Sequence, residues 1–296
     1  SHSVEMLLEE GRTVRVLDNF SSGIRKNLPT HSDLEVLEGD IREYKTVEAA
    51  MAGVSQVLHL AAQVSVQASI ENPPHSCATN ILGFVNVLQA ARSLKVPRLV
   101  YASSAAVYGH PTRVPIVETD PCQPISPYGL EKQINDQYAG LFAETFGLSL
   151  LGLRYFNVYG PRQDPRSPYA GVISKFLDRI AQHQPLRVYG DGSQTRDFIF
   201  VKDVARANVA ALNSSMTGVC QVATGTSCDL MQMIDMLSRC MKRPLDVMHE
   251  APLVGDIPFS SAKIDRFREL VNPQDLTPLE RGLALLVEAT PGVHPL

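Results

Sequence analysis

The chain has 296 residues, 20% of them charged and 44% apolar, an ordinary balance for a globular protein with a large domain and a smaller lobe. A net charge of −4 without any Lys/Arg run excludes nucleic acid as the main partner, and no apolar run is long enough to cross a bilayer. The five cysteines, Cys77, Cys122, Cys220, Cys228 and Cys240, have neither metal-ligand nor disulfide-framework spacing. The expectation is therefore a cytoplasmic protein with no leader, no membrane segment and no metal.

The first ten residues, Ser1 to Glu10, carry apolar Val4, Leu7 and Leu8 at helical spacing, with Gly11 as the C-terminal stop. Thr13 to Leu17 reads as a short strand ending in Asp18. A strand ending in an acid, after a helix with no strand before it, is half of a dinucleotide-binding unit. The other half is a first strand and a glycine-rich turn that holds a pyrophosphate at the helix N-terminus. That half is missing, and the sequence reads as N-terminally incomplete. Leu34 to Leu37 is a further strand, Glu43 to Ala52 a short helix, and Val54 to Leu60 another strand, with His59 a packing residue at its end. Pro73 to Leu94 reads as one helix. Beyond Gly160 the strand–helix alternation gives way to denser Pro and Gly, although Val201 to Leu212 is again helical. A last helix runs from Pro278 to Leu286 with Thr277 as N-cap, and the tail is expected to fray from Ala289.

The chemistry gathers between Ser103 and Lys132. Val96 to Ala102 (VPRLVYA) is a buried parallel strand, which puts Ser103 and Ser104 at its C-terminal end, where open α/β sheets bind ligands. The sequence turns helical at Tyr128, and Tyr128 and Lys132 lie one turn apart on one face. A phenol titrates near ~10 and is a poor base at neutral pH unless something favours phenolate. The Lys132 ammonium supplies that, and a nearby cationic ring would add to it. Bringing the phenol to neutrality takes roughly 3 pH units, or about 4 kcal/mol. Ser104 can hydrogen-bond the same substrate oxygen and help pass the proton.

A strand ending in Ser-Ser followed by Tyr-x-x-x-Lys resembles the extended short-chain dehydrogenase/reductases, and within them the NAD-dependent nucleotide-sugar epimerases. The likeness runs from Ser1 to about Gly282. It implies an α/β fold, a Rossmann-like doubly wound parallel sheet without its first strand. Residues 1–160 would form the NAD-binding domain with the catalytic helix, and 161–296 mainly a substrate lobe with some segments returning. Tyr128, Lys132 and Ser104 would be catalytic. Asp18 would accept from the adenosine ribose, favouring NAD over NADP, and Asn19, Phe20, Ser21, Ser22 and Gly23 would form the adenosine loop. Asp40 and Ile41 would contact adenine, the acid accepting from the exocyclic amine and Ile41 packing on the ring. Leu60, Ala61 and Ala62 would let the backbone approach the dinucleotide. Asn80 would tie the cofactor loops together, and Ser103, Tyr128, Lys132 and Phe156 would adjoin the cofactor.

The segment from Arg154 to Pro161 (RYFNVYGP) resembles the family's segment of that pattern, with Asn157 on a substrate diphosphate oxygen. Val188 to Asp197 resembles its nucleotide anchor, in which Arg196 grips the diphosphate. An ion pair of Arg196 with Asp197 or Asp203 is the plainer reading. Leu186 to Val188 would line the uracil pocket. Leu253 stands where the family has a second Arg clamp, Asp256 would contact the nucleotide, and Ser260 sits at a size gate. A small residue there admits 2-N-acetyl sugars, so the expected substrates are UDP-GlcNAc and UDP-GalNAc, with UDP-glucose and UDP-galactose beside them. A homodimer through a helix bundle is a further implication. A nucleotide-sugar dehydratase would need an acid–base pair where Ala105 and Ala106 stand. A UDP-glucuronate epimerase, a decarboxylase of the same superfamily and a non-catalytic nucleotide-sugar binder remain as alternatives.

Overall fold

A computed structural model of the chain describes residues 1–163, 171–252 and 257–293. The chain folds as two compact units, each assembled from three segments. The first takes residues 1–109, 121–155 and 205–220; the second takes 110–120, 156–204 and everything from 221.

The chain opens with α1 (His2–Glu9), which ends as the glycine predicts. Gly11 has φ +74, its N–H meets Leu8 O at 2.9 Å, and Arg12 N–H meets Leu7 O at 3.0 Å, the two bonds of a left-handed C-terminal cap. The strands β1 (Val14–Asp18) and β2 (Leu34–Glu38) pair in parallel and are followed by α2 (Tyr44–Met51). Next come β3 (Gln56–His59), shorter than expected, α3 (Val66–Glu71) and α4 (Pro73–Cys77). The single helix expected over 73–94 is interrupted: α4 passes through a π-helical turn, Ala78–Leu82, before α5 (Gly83–Ser93). Gly83 accounts for the tight packing there, since a Cβ on it would lie 2.6 Å from Ile41 Cδ1.

After α5 come β4 (Arg98–Ser104), α6 (Pro127–Phe146) and β5 (Leu150–Tyr155). The β4 and β5 runs are nearly all buried because they are covered on both faces. The second unit begins its main segment with β6 (Asn157–Tyr159), α7 (Val172–Ala181), β7 (Leu186–Tyr189) and β8 (Thr195–Phe200). The helix α8 (Val201–Asn213) carries the chain into the first unit, where β9 (Gly218–Val222) completes a sheet of order β3–β4–β5–β9. Among the described residues β1–β2 and β3–β4–β5–β9 are separate sheets. Arg98, buried on β4, donates through Nη2 to Ala211 O at 2.8 Å and so holds the end of α8. Phe84, Leu88, Leu99 and Tyr101 are fully buried in this unit's core, and His59 stacks on Phe84 with centroids 5.5 Å apart.

The second unit continues with β10 (Ser227–Asp229), which pairs antiparallel with β8, then α9 (Leu230–Met241), β11 (Val247–Glu250) and α10 (Leu279–Ala289). On α7, Ile173, Phe176, Leu177 and Ile180 form one apolar face, and α9 buries Leu230, Met233, Ile234 and Leu237 in the same way. Two expectations fail here. Thr277 does not cap the last helix, because its hydroxyl and N–H both donate to the Asp203 carboxylate at 3.0 and 2.7 Å. The chain beyond Ala289 is not frayed as far as residue 293, since Val293 is buried in this unit's core.

Candidate active site

Ser104 ends β4, and its Oγ accepts the Ala106 N–H at 3.1 Å, starting a 3-10 turn over Ala105–Tyr108. Ser126 caps α6 by accepting the Gly129 N–H at 3.1 Å, with Pro127 in the first helical position. Gly129 lets the helix start lie on that turn, because a Cβ there would come within 2.6 Å of Ala106 O. The result sets Ser104, Tyr128 and Lys132 around one strand end. Lys132 is buried, its Nζ donates to Ala102 O at 2.9 Å, and it lies 5.9 Å from the Tyr128 ring centroid.

The electrostatics differ from the simple expectation. Burial pushes the Tyr128 phenol up, the Ser104 hydroxyl pulls it back, and Glu131 pushes it further up. Lys132 is pushed down to about 8 by burial, against the upward pull of Asp136 and Glu131. Lys132 thus keeps its charge at neutral pH, while the phenol by itself gains no help from its buried setting. Beneath them, Asp136 and Arg154 form a buried pair at 2.9 Å; Arg154 also donates to Tyr108 Oη at 2.8 Å, and Tyr101 donates to Asp136 at 3.0 Å.

Asp18 ends β1 with its Oδ1 accepting the Phe20 N–H at 2.7 Å. Gly23 lies against that carboxylate, where a Cβ would come within 3.0 Å of Oδ2. Asn19 binds Asp40 at 3.0 Å and holds Ser21 through its N–H and hydroxyl at 3.0 and 2.7 Å, and Ser22 follows in the same exposed loop. The Arg42 guanidinium beside Asp40 holds its carboxyl well below the usual carboxylate range. The Ile41 side chain is mostly buried in the core against Gly83, which leaves a small part of it exposed. Leu60 is exposed, Ala61 exposed and Ala62 half-buried just past β3. Asn80, buried in the π-helical turn, grips Gln63 from both sides, donating to its O and accepting its N–H at 2.8 Å each. Ser103 Oγ is buried without a hydrogen-bond partner.

In the second unit, Phe156 is buried and donates its N–H to Val222 O at 3.1 Å, while Asn157 Nδ2 donates to Asp197 O at 3.3 Å. A pocket of about 440 Å³ is lined by Lys175, Arg179, Arg187 and Arg196 together with Tyr189 and Phe198. Arg196 donates to Thr195 O at 2.9 Å and to Ile257 O at 2.6 Å. The Asp197 carboxylate is held by Thr224 and by the Gly225 N–H, and that of Asp203 by Thr277.

Leu186 and Val188 do not line this pocket. They are 1% and 0% exposed, and the wall is made by Arg187 and Tyr189 between and after them. The strand alternates faces, so the apolar pair of β7 belongs to the core. Ser260 donates its N–H to Thr195 O at 3.2 Å and is half-buried, next to exposed Phe259. Leu253 and Asp256 lie outside the described residues. The sequence reading missed Lys175 and Arg179, for which their helical spacing was the available signal; it had the segments of Arg187 and Tyr189 but assigned the wall to the wrong face of the strand. Among the described residues no group of His, Cys, Asp and Glu is placed to hold a metal ion, and no helix is long and apolar enough to cross a membrane.

The profile described as "NAD dependent epimerase/dehydratase family" matches residues 1–222. The UDP-glucose 4-epimerase of Mycolicibacterium smegmatis is 33% identical over 296 aligned positions, covering 96% of this chain and 93% of that protein. The chain superimposes with a TM-score of 0.92 and 34% identity on UDP-N-acetylglucosamine 4-epimerase from Methanobrevibacter ruminantium, solved with UDP-N-acetylmuramic acid, covering 97% of this chain and 93% of that one. It superimposes with a TM-score of 0.88 and 33% identity on the UDP-glucose 4-epimerase of Thermus thermophilus in complex with NAD, covering 97% of this chain and 94% of that one.

Proposed function

The chain belongs to the NAD-dependent epimerase/dehydratase family, and we propose that it interconverts the C4 epimers of a UDP-sugar through a transient 4-keto sugar. The observation that carries this is the meeting of Ser104, Tyr128 and Lys132 at the end of β4, with Ala105 and Ala106 beside them. Two methyl groups cannot transfer protons, so a dehydratase would lack its acid–base pair.

The residues present fit NAD. Ser103 Oγ is a buried polar atom without a partner at the ligand edge of the sheet, and Asp18 ends its strand as a ribose-binding acid would. NAD bound there would supply the hydride chemistry at the sugar C4. Tyr128 takes the proton of the C4 hydroxyl and later returns it. Ser104 hydrogen-bonds that oxygen and keeps it in line with the phenol. Lys132, charged at neutral pH, offsets the phenolate that burial alone disfavours. Arg196, with Arg187 and Lys175 on the same pocket wall, suits a diphosphate, and Tyr189 offers an aromatic edge for a base. Holding the nucleotide there leaves the sugar free to turn over.

The small Ser260 supports N-acetylhexosamine substrates beside the plain hexoses. Exposed Leu130, Tyr138 and Leu141 along α6 support a homodimer, as an apolar stripe that a second copy would cover. Five free cysteines suit a reducing, cytoplasmic setting.

The test is incubation with NAD and either UDP-GlcNAc or UDP-glucose, followed by proton NMR of the anomeric signals. We expect the galacto epimer to appear and Tyr128→Phe to lose at least about a thousandfold in kcat, since the proton then has no acceptor. An NAD-loaded protein that turns over neither sugar refutes the reading.

A further inference from the structure

The catalytic helix carries a buried acid for which the proton transfer has no use. Glu131 lies between Tyr128 and Lys132 and is 4% exposed. Its Oε2 accepts from Ser76 Oγ at 2.8 Å and from Asn80 Nδ2 at 2.6 Å. Asn80 is the same side chain that holds Gln63 through both its N–H and its O, and the Gln63 side chain in turn accepts the Ser65 N–H at 2.7 Å. One turn earlier, Ser69 Oγ accepts the Tyr128 N–H at 3.1 Å and donates to Val66 O at 2.6 Å. These bonds join the first turns of α6 to the 63–65 loop and to the helices that follow it.

We propose that Glu131 is a positioning residue for the epimerisation: its carboxylate couples the Tyr128–Lys132 turn to Asn80, and through Asn80 to the loop expected to carry the cofactor. This rests on the reading given under the proposed function. A carboxylate is a costly residue to bury, and two donors converging on one of its oxygens are what makes it tolerable. An alanine or serine at this place would leave Asn80 Nδ2 short of a partner, and the loop would lose its tether to the helix.

The same carboxylate lies next to the reacting groups. On its own helix its charge acts on Tyr128 and Lys132; Lys132 also feels Asp136, which is paired with Arg154 and Tyr101, and acts in turn on His59. From α4 and the π-helical turn the neutral Ser76 and Asn80 donate to it. Its negative charge raises both Tyr128 and Lys132. Removing it lowers both, so activity should survive to lower pH on the acid side.

The experiment compares the NAD-loaded protein with Glu131→Gln, which keeps the shape and an accepting oxygen, and with Glu131→Ala. The Gln variant should move the acid limb of the kcat/KM profile to lower pH. The Ala variant should lose about tenfold or more in kcat with KM for the UDP-sugar within about twofold. Amide hydrogen exchange at Gln63 should quicken in the Ala variant, a readout that needs no turnover and stands even if the substrate reading fails. An unmoved acid limb in Glu131→Gln overturns the proposal, and so does unchanged exchange at Gln63 in Glu131→Ala.

Discussion

His59 offers a sharp test of how the first unit is held together. The imidazole is buried at the end of β3 against Phe84, and burial, helped by the Lys132 charge, pushes it down from 6.5 to about 3. Between those values the unfolded chain binds a proton that the folded chain refuses. The stabilising contribution is therefore intact above 6.5 and is lost as the pH falls towards 3. Going from about pH 7 to about pH 5 should cost about 2 kcal/mol through this residue alone. His59→Phe keeps a ring on Phe84 and has no proton to bind, so its stability should fall less over the same interval. Urea unfolding followed by circular dichroism suits a chain without tryptophan. The comparison is the difference between wild type and variant at the two pH values, in which the carboxylates common to both cancel. Equal losses in the two proteins would mean that His59 is already charged or hydrated in the folded state, and the argument from burial would fall.

Asp136→Ala leaves the Arg154 guanidinium buried with an uncompensated charge, and urea unfolding should show a loss of about 3–5 kcal/mol. It also removes the largest support for the charge on Lys132, so the alkaline limb of the pH–rate profile should move below its wild-type position. Ser260→Tyr should lower kcat/KM for UDP-GlcNAc relative to UDP-glucose by about tenfold or more, measured with both sugars in competition. Gly109→Ala should destabilise by on the order of 3 kcal/mol in the same unfolding assay, because φ is +59 and the new Cβ would sit 1.9 Å from Gln123 O.

The parts of the site that could be read in the sequence are those whose signal is local. A strand ending in Ser103-Ser104 and a helix with Tyr128 and Lys132 at four-residue spacing need no knowledge of the rest of the chain. Asp18 was visible for the same reason. Glu131 was not, because its partners Ser76 and Asn80 are 55 and 51 residues away and nothing in its own neighbourhood marks it as buried. Thr277 had the right chemistry and position for a cap, but Asp203, 74 residues earlier, takes both its donors. Leu186 and Val188 fell to a different cause. A short apolar strand shows its two faces in the sequence, but which face meets the core depends on what packs against it, here the buried faces of α7 and α9. The packing of Ile41 against Gly83 was hidden for the same reason as Glu131, since that pair is 42 residues apart.

The interleaving of the two units has a consequence for synthesis. The first unit has its first 109 residues early, yet α8 and β9 reach it only with residues 205–220. Counted from the end of β5 at residue 155 to residue 220, that delay is roughly 3–13 s at ordinary elongation rates. Through that interval the outer edge of β5 has no neighbour, and the buried guanidinium of Arg98 still waits for Ala211. A nascent chain of this design spends those seconds with an open sheet edge, which makes a ribosome-bound intermediate of this length a natural client for a chaperone.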